Sequence, residues 1–142
     1  MKKIIPFLFA AVNIIAVSCT KEEHEPEVSG DSGIYRVMFE VTGEDPRGNA
    51  HIITLDGVNI KNEMTGQSSS SIDESFSQDI SYVTESEVQQ IAIQGVLYSN
   101  EYAELRMKVT KDGCTVFDES KGIDPQNGTD KTIELRYTTL GQ

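Results

Sequence analysis

Apolar residues that alternate with polar ones, in short runs separated by turn residues, constrain the fold of this chain more than any other feature. The clearest run is EYAELRMKVT, in which every second residue from Ala103 to Val109 is apolar. The runs over 35–41 and 133–137 keep the same period. Successive side chains of a strand point to opposite faces, so a period of two predicts strands with one buried face. No stretch keeps a helical period.

Turn residues separate these runs. Asp56-Gly57 and Asp112-Gly113 each lie between two apolar runs, and this residue pair tolerates the positive φ angles of a tight turn, so each predicts a hairpin. The segment 72–82 alternates loosely and is interpreted as strand, after a loop over 66–71. Gly95 interrupts another run and predicts a bulge or a close backbone approach.

Seven or eight such strands fit between residues 34 and 142, with turns rich in Gly, Asp, Asn and Pro. A length of about 110 residues suffices for one domain that buries roughly two-thirds of its unfolded surface. The sequence therefore predicts an all-β domain, an antiparallel immunoglobulin-like sandwich after a flexible N-terminal stalk. The Cys and Trp core residues of antibody domains are missing, since the chain has no Trp and only two Cys.

Residues 1–18 have the layout of a secretory signal peptide. Two lysines precede an apolar run from Ile4 to Val17, which is shorter than the about 20 residues that span a bilayer. The run ends in Val17-Ser18-Cys19, which resembles the lipobox of bacterial lipoproteins. The resemblance implies that the thiol of Cys19 receives a diacylglyceryl group, that residues 1–18 are removed, and that the new amine is acylated. Two or three acyl chains anchor a protein stably. An ordinary signal peptide that contains a cysteine is the alternative.

Residues 19–33 form an acidic segment with proline, glycine and serine but no apolar period, which predicts a flexible stalk. Its charged residues Lys21, Glu22 and Glu23 resemble the export signal of Bacteroidetes surface lipoproteins. That resemblance implies a lipid-anchored protein on the outer face of the outer membrane. An acidic stalk without an export role would carry the same residues. His24 is interpreted as a solvated residue rather than a metal ligand.

The charge of the chain limits its partners. It has 12 basic and 23 acidic residues, and removal of residues 1–18 lowers the net charge from −11 to −13 because two lysines leave. Such a surface repels a phosphate backbone, so nucleic acid is excluded as a partner. It is also repelled by anionic lipid, so the lipid on Cys19 has to supply the membrane attachment. With Cys19 lipidated, Cys114 would lack a disulfide partner in the chain and is predicted to be a small buried residue.

Catalysis and cofactors find little support in the sequence. The domain has one histidine, His51, in a strand-like run, and the chain has no G-x-S-x-G turn, so His51 is interpreted as pairing with a nearby carboxylate. One histidine and one cysteine do not complete a tetrahedral zinc site. Carboxylates are so abundant that no pair points to a glycosidase. The protein is predicted to be non-catalytic and to use no cofactor.

Two loops are candidates for binding. GIDPQNGTD sets Asp124, Asn127 and Asp130 in one turn, where oxygen ligands would suit calcium; the spacing is not that of an EF-hand, and a polar turn is the alternative. Tyr98 and Tyr102 flank a three-residue segment between two strands. Exposed tyrosines are enriched in binding sites because each presents a large amphipathic face and loses little rotamer entropy on binding. The pair is a candidate binding surface, with rim packing as the alternative.

The domain also has a resemblance of its own. The segments VMFEVTG, AHIIT and KVTKDGCTVFDES are similar to strands of small β-sandwich envelope proteins related to the mycobacterial small membrane protein family, whose members accompany lipid transporters. The chain lacks the Pro-Trp step of that family, and no functional residue is carried over. The leading hypothesis is a surface lipoprotein whose sandwich binds a protein or an extracellular polymer. The alternative is an accessory structural subunit of an envelope or transport assembly.

Overall fold

The structure, a computed structural model, describes residues 32–140. Its ten strands are β1 (Tyr35–Gly43), β2 (Arg47–Thr54), β3 (Ile60–Asn62), β4 (Ser68–Ser69), β5 (Ser71–Phe76), β6 (Ile80–Thr84), β7 (Ile91–Tyr98), β8 (Ala103–Lys111), β9 (Cys114–Ile123) and β10 (Thr132–Thr138). A single 3-10 turn, Pro125–Asn127, lies between β9 and β10 within these residues.

The strands form two antiparallel sheets that face each other, which confirms the predicted all-β sandwich. The larger sheet has the order β4-β3-β6-β1-β8-β9 and the smaller sheet has the order β10-β7-β2-β5. The longest uninterrupted ladder joins β1 to β8 over nine residue pairs within the larger sheet. Because β2, β5, β7 and β10 come from separate parts of the sequence, the smaller sheet is assembled almost entirely from long-range pairings.

The core lies between the sheets and is centred on an aromatic cluster. The Phe39 ring stacks on Phe76 with centroids 5.3 Å apart, and Tyr82 meets Phe39 edge-on at 6.4 Å. Gly95 of β7 lies over the Phe39 ring, and a Cβ built there would be 2.5 Å from a ring carbon. Of the two explanations for Gly95, the close approach is therefore correct, and the approaching group is a side chain. No bulge is present, because β7 continues through Gly95.

The three alternating runs are strands with the predicted faces inward. In β8 the residues Ala103, Leu105, Met107 and Val109 are fully buried, and their neighbours on the strand are not. β1 and β10 repeat the pattern, with Phe39 and Leu135 buried at their centres. A half-buried strand needs only local alternation to be recognised, and this part of the prediction is confirmed.

The segment from residue 55 to residue 84 differs from the prediction. Asp56-Gly57 is a turn, with Gly57 at φ 71°, but the strands on its two sides belong to different sheets, so the predicted hairpin there is wrong. The loosely alternating run 72–82 contains two strands, β5 and β6, again in different sheets. The short strands β3 and β4 add to these, which is why ten strands replace the seven or eight expected.

Cys114 is not the buried core residue that was predicted. Asp112-Gly113 forms the expected hairpin turn, with both residues at positive φ, but the β8–β9 register shifts at Val109/Thr110. Val109 is therefore paired with Phe117, and Cys114 stays half-buried at the start of an edge strand.

Candidate binding surface

The two ends of the sandwich carry different parts of the chain. The chain enters at Gly33, which pairs with Val88 beside the β8–β9 turn, and this end is called the near end. The turns after β1, β5, β7 and β9 lie at the opposite end, the far end, because Tyr35 pairs with Lys111 and Gly43 with Ala103. Nine strand residues at about 3.3 Å each separate the two ends by roughly 25–30 Å.

Tyr98 and Tyr102 both lie at the far end and are 38% and 54% exposed. The Tyr98 hydroxyl donates to Asn100 Oδ1 at 3.1 Å, and the Tyr102 hydroxyl donates to Glu104 Oε2 at 3.3 Å. The loop between them is fixed by Ser99, which is buried; its N–H donates to the carbonyl of Lys131 and its hydroxyl accepts the N–H of Glu101. The two rings are thus presented on an ordered loop, as a binding surface requires.

The loop over 124–130 also lies at the far end and is held by its own hydrogen bonds. Asn127 Nδ2 donates to Asp124 Oδ2, and the Thr129 hydroxyl accepts the N–H of Asp124. Gly128 ends the 3-10 turn in the left-handed region at φ 90°. Asp124 and Asn127 are therefore brought together, whereas Asp130 is exposed and shares no hydrogen bond with either. Among residues 32–140, no three His, Cys, Asp or Glu side chains are placed to share a metal ion.

The fold brings the two candidate loops next to each other. Tyr102 has its pKa raised, first by the negative charge of Glu104 and its hydrogen bond, and further by the charge of Asp124. Ser99 connects the tyrosine loop to the strand that follows the 124–130 loop, through the carbonyl of Lys131. The far end is therefore one surface that combines exposed tyrosines with carboxylates.

A second surface was not foreseen from the sequence: the outward face of the smaller sheet, called here the small-sheet face. On it His51 Nδ1 lies 3.6 Å from Asp73 Oδ1 across the β2–β5 ladder, which confirms the predicted carboxylate partner of His51. Hydrogen bonds from Gln94 and Arg136 to Glu134 hold the pKa of Glu134 below its ordinary value. These residues come from four strands, so only their register reveals the face.

The outward face of the larger sheet also carries paired charges. Arg106 donates to Asp118 at 2.7 and 2.8 Å and to Glu40 at 3.1 Å, and this hydrogen bonding lowers the pKa of Asp118. Arg36 donates to Glu63 at 2.9 Å. Such pairs between half-exposed groups contribute little to stability.

Several predicted residues lie outside the described part of the chain. These are the lipidation residue, the three export residues and the stalk histidine: Cys19, Lys21, Glu22, Glu23 and His24. They remain predictions. No helix within residues 32–140 has the length and apolar character that a bilayer span requires.

No family model and no curated protein sequence matches this chain. Three solved structures have a similar fold. One is the calcium-bound form of a protein from Parabacteroides distasonis, with a TM-score of 0.59 and 20% identity over 82% of this chain and 98% of that one.

The other two structures contain a domain of unknown function called DUF4425. The Bacteroides vulgatus domain has a TM-score of 0.59 and 16% identity over 76% of this chain and 94% of that one. The Bacteroides ovatus protein has a TM-score of 0.62 and 16% identity over 79% of this chain and 99% of that one. All three organisms are Bacteroidetes. At these identities the likeness shows the fold alone, and it shows no relation to the small membrane protein family.

Proposed function

We propose that this protein is a lipid-anchored, non-catalytic lipoprotein of the bacterial outer membrane that binds a partner with its sandwich domain. The observation that carries the proposal is the arrangement of the two ends. The stalk joins the domain at Gly33, at the near end, and the exposed Tyr98 and Tyr102 lie at the far end. A lipid on Cys19 would therefore leave the tyrosines directed away from the membrane.

The described residues support a binding role rather than catalysis. The nearest charged partner of His51 is a carboxylate, Asp73, on an exposed sheet face. Covalent catalysis by an activated serine, threonine or cysteine would need His51 beside that nucleophile. The fold likeness to proteins from Bacteroidetes is in keeping with a surface lipoprotein of that group.

Fatty-acid labelling and surface protease access test the two halves of the anchor separately. Cys19→Ala removes the acceptor thiol and should abolish labelling by a fatty-acid analogue. The protein should lose tight membrane association and either keep its signal peptide or be released in soluble form. Glu22→Ala with Glu23→Ala should keep the label but protect the protein from protease added to intact cells. Glu25→Ala with Glu27→Ala is the matched control, since it removes the same charge from the same stalk.

Three results would contradict the proposal. An unlabelled wild type rejects the lipobox, and unchanged protease access in the Glu22/Glu23 variant rejects the export signal alone. A disulfide between Cys19 and Cys114 in the membrane fraction also rejects lipidation, because one sulfur cannot hold a thioether and a disulfide. Peptide mapping of unreduced protein detects that bond directly.

Calcium binding by the 124–130 loop is a second candidate function. It is supported by the joint placement of Asp124 and Asn127 and by the Parabacteroides distasonis structure, which is a calcium-bound form. Calcium takes six to eight oxygen ligands, so water or neighbouring carboxylates would complete the site. We expect calcium, but not magnesium, to raise the melting temperature of chelator-treated protein, and Asp124→Asn to remove the effect. Asp56→Asn at the near end is the control, and an unchanged melting temperature rejects this function.

A further inference from the structure

The small-sheet face consists of rows of side chains that cross β10, β7 and β2. The registers of the two ladders place four such rows in order from the far end to the near end. The rows are Thr132, Tyr98 and Arg47; Glu134, Val96 and Asn49; Arg136, Gln94 and His51; and Thr138, Ala92 and Ile53. Tyr98 thus heads a strip of outward residues that runs down the middle strand.

A groove occupies the part of this strip nearest the near end. Ala92 is the smallest residue of the rows and forms the floor beside Gln94. His51 and Ile53 form one wall, and Arg136 with Thr138 forms the other. The groove is open to solvent and lined by both polar and apolar groups, so a ligand can reach it from outside.

The charges of the face are balanced, although the chain as a whole carries −11. Arg47 and Arg136 are opposed by Glu134 and by Asp73 of the adjoining edge strand. A strongly acidic protein that keeps one face free of excess charge repels neither neutral nor weakly charged ligands there. This favours an uncharged ligand over an anionic polymer or a basic protein.

The hydrogen-bonding groups of the face are partly pre-ordered. Gln94 Nε2 donates to Glu134 at 2.9 Å and Arg136 donates to the same carboxylate, which fixes both donors in the groove. An amide has a second N–H and an acceptor oxygen available beyond this bond. Asn49 Oδ1 is buried within the face and has no donor among the described residues. Rotation of its amide toward a ligand would supply the missing bond, and a buried unsatisfied acceptor is unfavourable without one.

The size of the face argues against a protein partner or a second copy of this chain. Four strands about 4.8 Å apart and seven residues long give roughly 400–450 Å². A stable protein interface covers about 800 Å² on each partner. One chain of a linear polymer needs only a strip of this width.

We propose that the small-sheet face binds an uncharged saccharide chain laid along β7. Tyr98 offers an aromatic surface for the C–H face of a sugar ring, and Asn49, Gln94 and His51 offer donors and acceptors for hydroxyl groups. This inference rests on the binding role proposed above and adds to it a class of ligand and a binding surface. It does not depend on the lipid anchor.

Native affinity electrophoresis of the detergent-solubilised full-length protein tests the proposal. The gels contain one neutral polysaccharide each, a soluble β-glucan, a galactomannan or dextran, or one anionic polymer, polygalacturonate or heparin. We expect at least one neutral polymer to retard the protein and both anionic polymers to leave it unretarded. Tyr98→Ala and Gln94→Ala should each weaken the retardation at least ten-fold.

Two controls separate this surface from others. Thr110→Ala changes the outward face of the larger sheet and should bind as the wild type does. Tyr102→Ala changes the same residue type at the far end but off the small-sheet face, and it measures what the far-end loop itself contributes. The proposal is overturned if no neutral polymer retards the protein, or if Tyr102→Ala weakens binding as much as Tyr98→Ala, which would place the site at the far-end loop. A dimer in sedimentation that Gln94→Arg dissociates also overturns it. Equal unfolding midpoints of all variants would show that the substitutions weaken binding without lowering the stability of the domain.

Discussion

Gly95 shows how strictly one residue is required at the centre of this core. A Cβ at position 95 would lie 2.5 Å from Cε1 of Phe39, and Phe39 is fully buried between Phe76 and Tyr82. The ring cannot move aside without disturbing both neighbours. We expect Gly95→Ala to lower the free energy of unfolding by about 1–3 kcal/mol, the range for overpacked cores, as measured by urea denaturation.

Gly122→Ala is the matched control for that change. Gly122 also lies in a strand, but a Cβ there would be 3.6 Å from its nearest neighbour, which is an ordinary contact. Its effect should be small, and it can even stabilise, because alanine restricts the unfolded chain. Equal destabilisation by the two substitutions would contradict the packing explanation.

Tyr82 makes the stability of the domain sensitive to alkaline pH. Burial raises its pKa, and the hydrogen bond to Glu74 with the charge of that carboxylate raises it further. The folded state therefore holds the phenolic proton more tightly than the unfolded chain, whose tyrosine pKa is about 10. The stabilisation that the protonated Tyr82 contributes should be fully present below pH 10 and should fall above it. Tyr82→Phe should flatten this alkaline decline in urea denaturation; Tyr137, whose pKa is also raised by burial, leaves a residual slope. An equally steep decline in both proteins would refute this assignment.

At the scale of elements, the alternation of apolar and polar residues predicted β1, β8 and β10. The sheet to which the other strands belong depends on their pairing partners. Asp56-Gly57 has the residues of a hairpin turn, but the chain after it crosses to the other sheet. Cys114 was expected to be a small buried residue, but the register shift at Val109/Thr110 leaves it half-buried at the start of β9. Sheet choice and bulges depend on partners far along the chain, and no local pattern encodes them.

The β8–β9 turn is the element that connects the chain entry to the larger sheet. Asp112 has φ 50°, and its Oδ1 accepts the N–H of Ile34 at 2.9 Å. Asp112→Ala loses this bond and places a residue with low left-handed propensity at a positive φ, so unfolding should become easier by about 1–2 kcal/mol. Asp112→Asn keeps both features and should have a much smaller effect. Thermal and urea unfolding measure the difference, and equal losses would disprove this role.

At the scale of the whole molecule, the two candidate surfaces differ in how far the sequence could indicate them. Tyr98 and Tyr102 were recognised because an exposed aromatic pair flanks one loop. The closeness of Tyr102 to Asp124 depends on the far end being assembled from four turns. The small-sheet face needed the register of three ladders before His51, Gln94 and Arg136 could be seen as neighbours.

The assembly of both sheets also predicts that the domain folds without the stalk. The ten described strands and their ladders use residues 32–140 alone, and the isolated bridge from Gly33 to Val88 is retained when residues 1–31 are removed. We expect the shortened chain to give a far-ultraviolet circular dichroism spectrum typical of β-sheet and to unfold in one cooperative transition. Because the truncation also removes Cys19, the proper reference is the full chain carrying Cys19→Ser, with reductant present in both samples. A helical spectrum, or a transition that loses cooperativity relative to this reference, would mean that the first 31 residues contribute structure which the two sheets need.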